Sequence, residues 1–181
     1  AKYLLPKSGG TYPFFPEPLK QHYKAKKPID ILYITEGAFK AFKGCLHGMA
    51  VIGLSSITHY RDAKSTKQKP RLHEDIIKLI EVCQVKQVVI LWDGDCRNID
   101  KKNLELEQEL SKRPKGFFEA VKKTRDLIKS AKLEHYPKVY FGTIRTENID
   151  DRPKGLDDLL ILMQKQSDQK LRATIKKALS L

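Results

Sequence analysis

The chain has 181 residues, 40 % apolar and 31 % charged, with 35 Lys and Arg against 22 Asp and Glu, a net charge of +13. That length suits one domain with a full core, with or without appendages. The excess of cations favours a polyanionic partner, nucleic acid before membrane, unless it only solubilises the surface. No run approaches the roughly 18 apolar residues of a membrane span. Cys45, Cys83 and Cys96 are far apart and form no CxxC pair, which argues against a disulfide framework and a zinc ribbon. No signal-peptide pattern opens the sequence, so a cytoplasmic location is expected. The first residue is Ala1, and a piece of a longer protein is expected.

In chain order, residues 1–28 carry seven Pro or Gly punctuators from Pro6 to Pro28 and predict an irregular entry segment. Its aromatics Tyr12, Phe14 and Phe15 are expected to pin it onto the body, base stacking being the alternative. Residues 31–35 (ILYIT) predict a strand, 39–46 a helix ending near Gly48, and 50–54 (AVIGL) a second strand. Residues 74–83 put Ile76, Ile77, Ile80 and Cys83 on one helical face, and 88–92 predict a third strand. A helix over 117–131 repeats apolar residues at i, i+3, i+4 and i+7, and 138–141 (KVYF) predict a fourth strand. Helices are expected over 156–163 and 169–179.

Strands alternate with helices, and the strand cores are continuously apolar. This predicts an α/β fold with about four mainly parallel strands flanked by helices. The main domain is expected over 29–163 and a basic C-terminal helix within 164–181. Two segments look like additions: the basic stretch 58–72, with Arg61 and Lys64, and a charged insert at 97–115 that includes Arg97. Both are long for connections in a compact unit and are binding surfaces or mobile decoration.

In a parallel sheet the site lies at the carboxyl ends of the strands. The third strand runs into Asp93–Gly94–Asp95. If the backbone stays extended, i and i+2 side chains share a face. Two adjacent carboxylates then need a cation, for which Mg²⁺ or Mn²⁺ with oxygen ligands is the usual solution. One aspartate could instead cap the next helix while the other is solvated. The first strand also ends in an acid, Glu36, and Asp157 and Asp158 follow the last strand as metal ligands or as first-turn acids of a helix.

The ordered set resembles the Toprim domain of bacterial-type DNA primases, type IA and II topoisomerases and some nucleases. TEG closes a first strand, TEGAFKAFKGCLHGMAVIGLSSI continues through helix, strand and small-residue loop, and an apolar strand ends in DGD before a late KGLDDLL. The likeness covers roughly residues 29–163 and is nearest to the primase branch and to replication proteins of plasmids, phages and other mobile elements. It implies a Rossmann-like Toprim fold and Mg²⁺-dependent nucleotidyl or phosphoryl transfer on nucleic acid. Glu36 would be a ligand or general acid/base, and Asp93 and Asp95 would hold one or two Mg²⁺ (or Mn²⁺), with Asp157 as a further ligand. Lys40, one turn after Glu36, and Ser55 after the second strand would meet phosphate, with a solvated lysine and turn capping as their alternatives. Arg61, Lys64, Arg97 and Lys154 complete the expected nucleic-acid or nucleotide contacts. The implied partners are DNA or RNA, as a single-stranded template, with NTPs and other domains of a larger replication protein.

The sequence departs from the primase pattern in two places. The charged insert separates DGD from the next helix, and the last motif is LDD rather than DxD. A Toprim nuclease would use the same acids, with water as the attacking group. A non-catalytic basic module would use the cations alone. A haloacid dehalogenase-like phosphatase would use Asp93 as nucleophile and Asp95 as acid, but Arg97 stands where that family places threonine.

Overall fold

The computed structural model describes residues 12–62, 64–66, 68–93, 109–144 and 153–165. Asp95, Arg97 and the expected helix over 169–179 lie outside them, as do residues 1–11. The four strands among the described residues are β1 (Ile31–Glu36), β2 (Ala50–Leu54), β3 (Gln87–Trp92) and β4 (Lys138–Thr143). They form one sheet in the order β2-β1-β3-β4, every pair parallel. Among the described residues, five helices connect or flank them: α1 (Glu17–Lys24), α2 (Ala38–Leu46), α3 (Glu74–Val82), α4 (Glu109–Ser130) and α5 (Leu156–Lys165). This is the expected α/β architecture, a Rossmann-like sheet with helical cover.

The central strands are apolar at consecutive positions because both faces of the sheet are covered. Leu32 and Ile34 of β1, Val51, Ile52 and Leu54 of β2, and Val88 through Trp92 of β3 are all buried. β4 is an edge strand, and Phe141 there stays exposed. At the other edge, the backbone of Phe14 pairs with Gly53 in an antiparallel bridge, with N···O distances of 2.7 and 3.0 Å. That bridge closes the open side of β2.

The entry segment is less irregular than its prolines suggest, and backbone pairing and Leu19 join the aromatics in anchoring it. Residues 17–24 form α1, with Pro18 in its first turn where a missing N–H costs nothing. Leu19 is buried and Phe15 packs against the core, but Tyr12 is 66 % and Phe14 40 % exposed. Backbone pairing at Phe14, the buried Leu19, Phe15 against the core and an edge-on contact of Tyr12 with the His73 ring (centroids 5.7 Å apart) together pin the segment.

Connections decide where ligands can bind. The chain leaves β1 leftward to β2 through α2, and leaves β3 rightward to β4 through α4. Right-handed crossovers then require α2 on one face and α3 and α4 on the other. α5 packs beside α2. The direction of winding reverses between β1 and β3, so the crevice of an open α/β sheet lies between their carboxyl ends.

α4 begins at Glu109, well before the expected Phe117, so the last part of the supposed insert is helix. Its first two turns carry no apolar stripe, and Pro114 and Gly116 mask them in the sequence. From Phe117 the expected stripe buries Phe117, Ala120, Thr124, Leu127 and Ile128, and the Thr124 hydroxyl donates to the Ala120 carbonyl at 2.8 Å.

The basic stretch after β2 is a built hairpin-like excursion rather than loose decoration. His73 N–H donates to the Tyr60 carbonyl at 2.9 Å and Asp62 N–H to the Arg71 carbonyl at 3.1 Å, with Tyr60 fully buried at its base. Within it, the Asp62 carboxylate accepts from Lys64 N–H and the Ser65 hydroxyl from Arg71 N–H. Among the described residues no helix is long and apolar enough to cross a membrane.

Candidate functional site

Glu36 is the last residue of β1 and pairs across to Leu54 of β2. Thr35 is level with Leu91 of β3, so Asp93 stands about one residue beyond Glu36 on the neighbouring strand. The two acids thus flank the crevice where the winding reverses. The turn between Glu36 and α2 is made by Gly37, whose φ of +100° is open to glycine and strained for other residues. Gly37 N–H donates to the Leu54 carbonyl at 2.6 Å, which ties the turn to β2.

That turn places Lys40 in the first turn of α2. Its Nζ lies 2.7 Å from Asp93 Oδ2, with side chains only 18 % and 24 % exposed. The expected phosphate-facing lysine is thus held by the acid of the DGD motif.

The start of α5 comes in from the third side. Asp158 Oδ2 accepts from the backbone N–H groups of Lys154 (3.2 Å) and Gly155 (3.1 Å). This is the reach-back of a third-position acid that closes a helix N-terminus. Asp157 is used differently: its Oδ1 is buried and has no hydrogen-bond partner. A Cβ built on Gly155 would lie 2.5 Å from Asp157 Oδ1, 2.7 Å from Lys40 Cε and 3.4 Å from Asp93 Oδ1. Gly155 is therefore the notch around which Asp157, Lys40 and Asp93 converge. Of the two late acids, one caps and the other faces the site, a distinction invisible in the sequence LDD.

Ser55 Oγ lies 2.7 Å from His59 Nδ1, and Ser56 Oγ 3.3 Å from Thr58 Oγ1, so both hydroxyls are engaged in their own turn. Arg61 stacks over Tyr60 at 5.6 Å and its Nε is buried without a partner. With Thr66, Pro70, Lys123, Asp126 and Leu127 it lines a groove of about 550 Å³ between the hairpin and α4. Lys64 and Lys154 are exposed. Asp95 and Arg97 lie outside the described residues, and no distance to them enters the site.

No group of three or more His, Cys, Asp or Glu side chains among the described residues is arranged to hold a metal ion. The donors that are described nonetheless fit a hard divalent cation. They are carboxylate oxygens, one of them the orphaned buried Asp157 Oδ1, and the missing side chain of Gly155 lets them and Lys40 approach closely.

A family model described as a domain of unknown function, DUF3854, matches residues 21–167. The chain belongs to the DUF3854 family. No curated protein and no solved structure matches it. The matched span of this DUF3854 domain takes in all four strands, α2 through α5, and every expected site residue, but it carries no activity with it.

Two consequences of the geometry are measurable. Gly155→Ala should push the Lys40 and Asp157 side chains apart. Because both are flexible ends, the expected cost in stability is about 1 kcal/mol or less. Burial holds the His59 imidazole below its usual pKa. The folded state therefore resists a proton that the unfolded chain accepts near pH ~6.5, and stability should drop as pH falls through that value. His47 is lowered by burial and by Lys43 and adds in the same direction. Urea unfolding at pH 7.5 and 5.5 should show a smaller loss in His59→Gln than in the wild type.

Proposed function

We propose that this DUF3854 domain is a Toprim-type, Mg²⁺- or Mn²⁺-dependent domain of a primase-like replication protein, acting on phosphates of nucleic acid and nucleotides. The observation that carries the reading is the placement of Glu36 and Asp93 at the ends of adjacent strands where the winding reverses, with Lys40 paired to Asp93 and Asp157 Oδ1 beside the same glycine, Gly155. The ordered TEG, DGD and LDD motifs support it, as does the net charge of +13.

In this reading Asp93, Asp95 and Asp157 hold the metal, and Glu36 is a further ligand or moves a proton. A bound divalent cation would neutralise charge developing on a phosphoryl group. The chain's own part is positional. β1 and β3 fix two carboxylates on a rigid sheet, the Gly37 turn brings Lys40 against Asp93, and Asp158 caps the α5 terminus that carries Asp157. Arg61, Lys64, Lys154 and Arg97 supply the cationic approach for a single strand. Its affinity should fall steeply with salt, as log K against log [salt].

The deciding experiment is incubation of the chain, alone and joined to any neighbouring domains, with Mg²⁺ or Mn²⁺ and two substrates. Oligonucleotide synthesis from NTPs on a single-stranded template supports the primase-like reading. Nicking of plasmid DNA without nucleotides assigns the same acids to a nuclease. Salt-sensitive binding with neither reaction, unchanged by Asp93→Asn, would reduce the domain to a basic binding module.

A further inference from the structure

The groove between the hairpin and α4 is set apart from the strand-end acids. Lys40 and Gly155 stand at the starts of α2 and α5, which share one face of the sheet, whereas α4 covers the other. Arg61, Thr66 and Pro70 line the groove from the hairpin, and Lys123, Asp126 and Leu127 line it from α4. Arg61 is half-buried, and no carboxylate among the described residues pairs with it. Its Nε is buried without an acceptor. Arg125 nearby is satisfied, since its Nε and Nη2 donate to Asp126 Oδ1 at 3.0 and 2.8 Å. A buried donor left unmade is costly, and a native fold normally supplies its acceptor. The Arg61 head group is also held in place. Its Cζ stands 5.6 Å from the centre of the Tyr60 ring, and Tyr60 is fully buried. The backbone of Arg61 is bridged to Leu72, with the Asp62–Arg71 and Tyr60–His73 bonds on either side. Asp62, Ser65 and Thr66 spend side-chain oxygens on the hairpin's own N–H groups, so the excursion is built around an arginine whose Nε it leaves open.

We propose that this groove is a phosphodiester site for single-stranded nucleic acid, anchored by Arg61 and faced by Lys123, and that it binds without metal. For its ligand it rests on the nucleic-acid reading above, but it does not rest on the strand-end acids. A guanidinium presents its N–H groups as a planar fork that matches two oxygens of a phosphate. A backbone phosphate at Arg61 gives the orphaned Nε its acceptor. Lys123 is recruited from across the groove, because its pair with Glu119 is long, at 3.7 Å, and about half exposed. Asp126 is the acid among the lining residues, and Arg125 already neutralises it, so the groove keeps a positive balance. Pro70 and Leu127 add an apolar wall for sugar or base. At about 550 Å³ the groove has the volume of a small-ligand cleft and not of a duplex channel. It therefore takes one strand.

Fluorescence anisotropy of a labelled single-stranded oligo(dT) with the full chain, in EDTA and over a range of salt, tests this. The variants are Arg61→Met, Arg61→Lys, Lys123→Met and, as a control on α3 away from the groove, Lys78→Met; thermal melts confirm that each is folded. Arg61→Met should weaken binding about tenfold or more, and Arg61→Lys, which keeps the charge and loses the fork, about threefold. Lys123→Met should weaken it about threefold and lower the salt slope by about one, as loss of one phosphate contact does. Lys78→Met should change little, and duplex DNA should compete poorly. Groove variants that weaken binding no more than Lys78→Met would overturn the proposal, as would equal affinity for duplex. Displacement by inorganic phosphate at the oligonucleotide's own phosphate concentration would make the groove a free-anion site and overturn its assignment to a strand. Each of these outcomes leaves the metal-dependent reading to its own assays. No binding of the oligonucleotide by the wild type would overturn the nucleic-acid reading and this inference with it.

Discussion

Gly53→Ala is expected to destabilise the protein by about 3 kcal/mol and to impair the site at a distance. Gly53 is the penultimate residue of β2, and a Cβ there would lie 2.6 Å from the Gly37 carbonyl oxygen, 3.0 Å from its carbon and 3.1 Å from Ala38 Cα. All three are backbone atoms, so no rotamer change relieves the clash. The backbone of Gly37 cannot retreat easily. Its N–H is tied to Leu54 and its φ of +100° already belongs to the region that favours glycine. Gly53 is also held from the other side by the Phe14 bridge. What gives way is the Glu36–Gly37 turn, and with it the placement of Lys40. Chemical unfolding should register the loss of stability, and metal titration of the folded fraction a weakened site. By comparison, Gly44→Ala meets Val51 Cγ2 at 2.6 Å, a side-chain neighbour, and should cost less.

Asp93→Asn is expected to lower any metal-dependent turnover by about a thousand-fold or more, the scale on which one preorganised electrostatic group acts at a phosphoryl or acyl centre. The substitution keeps shape and removes the charge that faces Lys40 at 2.7 Å. Nucleic-acid binding should be retained or slightly strengthened, because it removes a negative charge and leaves Arg61, Lys64 and Lys154 in place. Asp158→Asn should behave otherwise. Its carboxylate is spent on the N–H groups of Lys154 and Gly155, so the expected loss is about 1 kcal/mol of stability with a smaller effect on turnover. Comparing melting curves and turnover of the two variants separates the site acid from the capping acid.

The frame was legible where burial imposes a period or a continuous apolar run. β1, β2, β3, α2 and α3 lie within a residue of their expected bounds, because ILYIT, AVIGL and VVILW can be accommodated only in a sheet covered on both faces. α1 and the start of α4 were not legible. In α1 a short helix buries little beyond Leu19 among prolines and charges, and α4 opens on ELSKRPK, a stretch with no apolar period and a proline. In the site, the acids could be read as strand-end residues from position alone. Their division of labour could not, since Asp157 and Asp158 are adjacent and chemically alike, and only the backbone donors at Lys154 and Gly155 separate them. The Lys40–Asp93 pair spans 53 positions in sequence and depends on the β1–β3 register, which local patterns do not carry. Gly155 is the one local signal that was passed over. A glycine between Lys154 and the first turn of a helix is a cue for close approach.

The most direct test is Mn²⁺ and Mg²⁺ binding by calorimetry, with quenching of Trp92 as an independent reporter. Trp92 is the chain's only tryptophan and adjoins Asp93. Wild type is compared with Asp93→Asn plus Asp95→Asn, each alone and with single-stranded DNA and nucleotide present. The account predicts saturable binding in the wild type, quenching by Mn²⁺, and loss of both in the double variant. Absence of metal from the wild type even with DNA and nucleotide added, or binding that survives the double substitution unchanged, would contradict it.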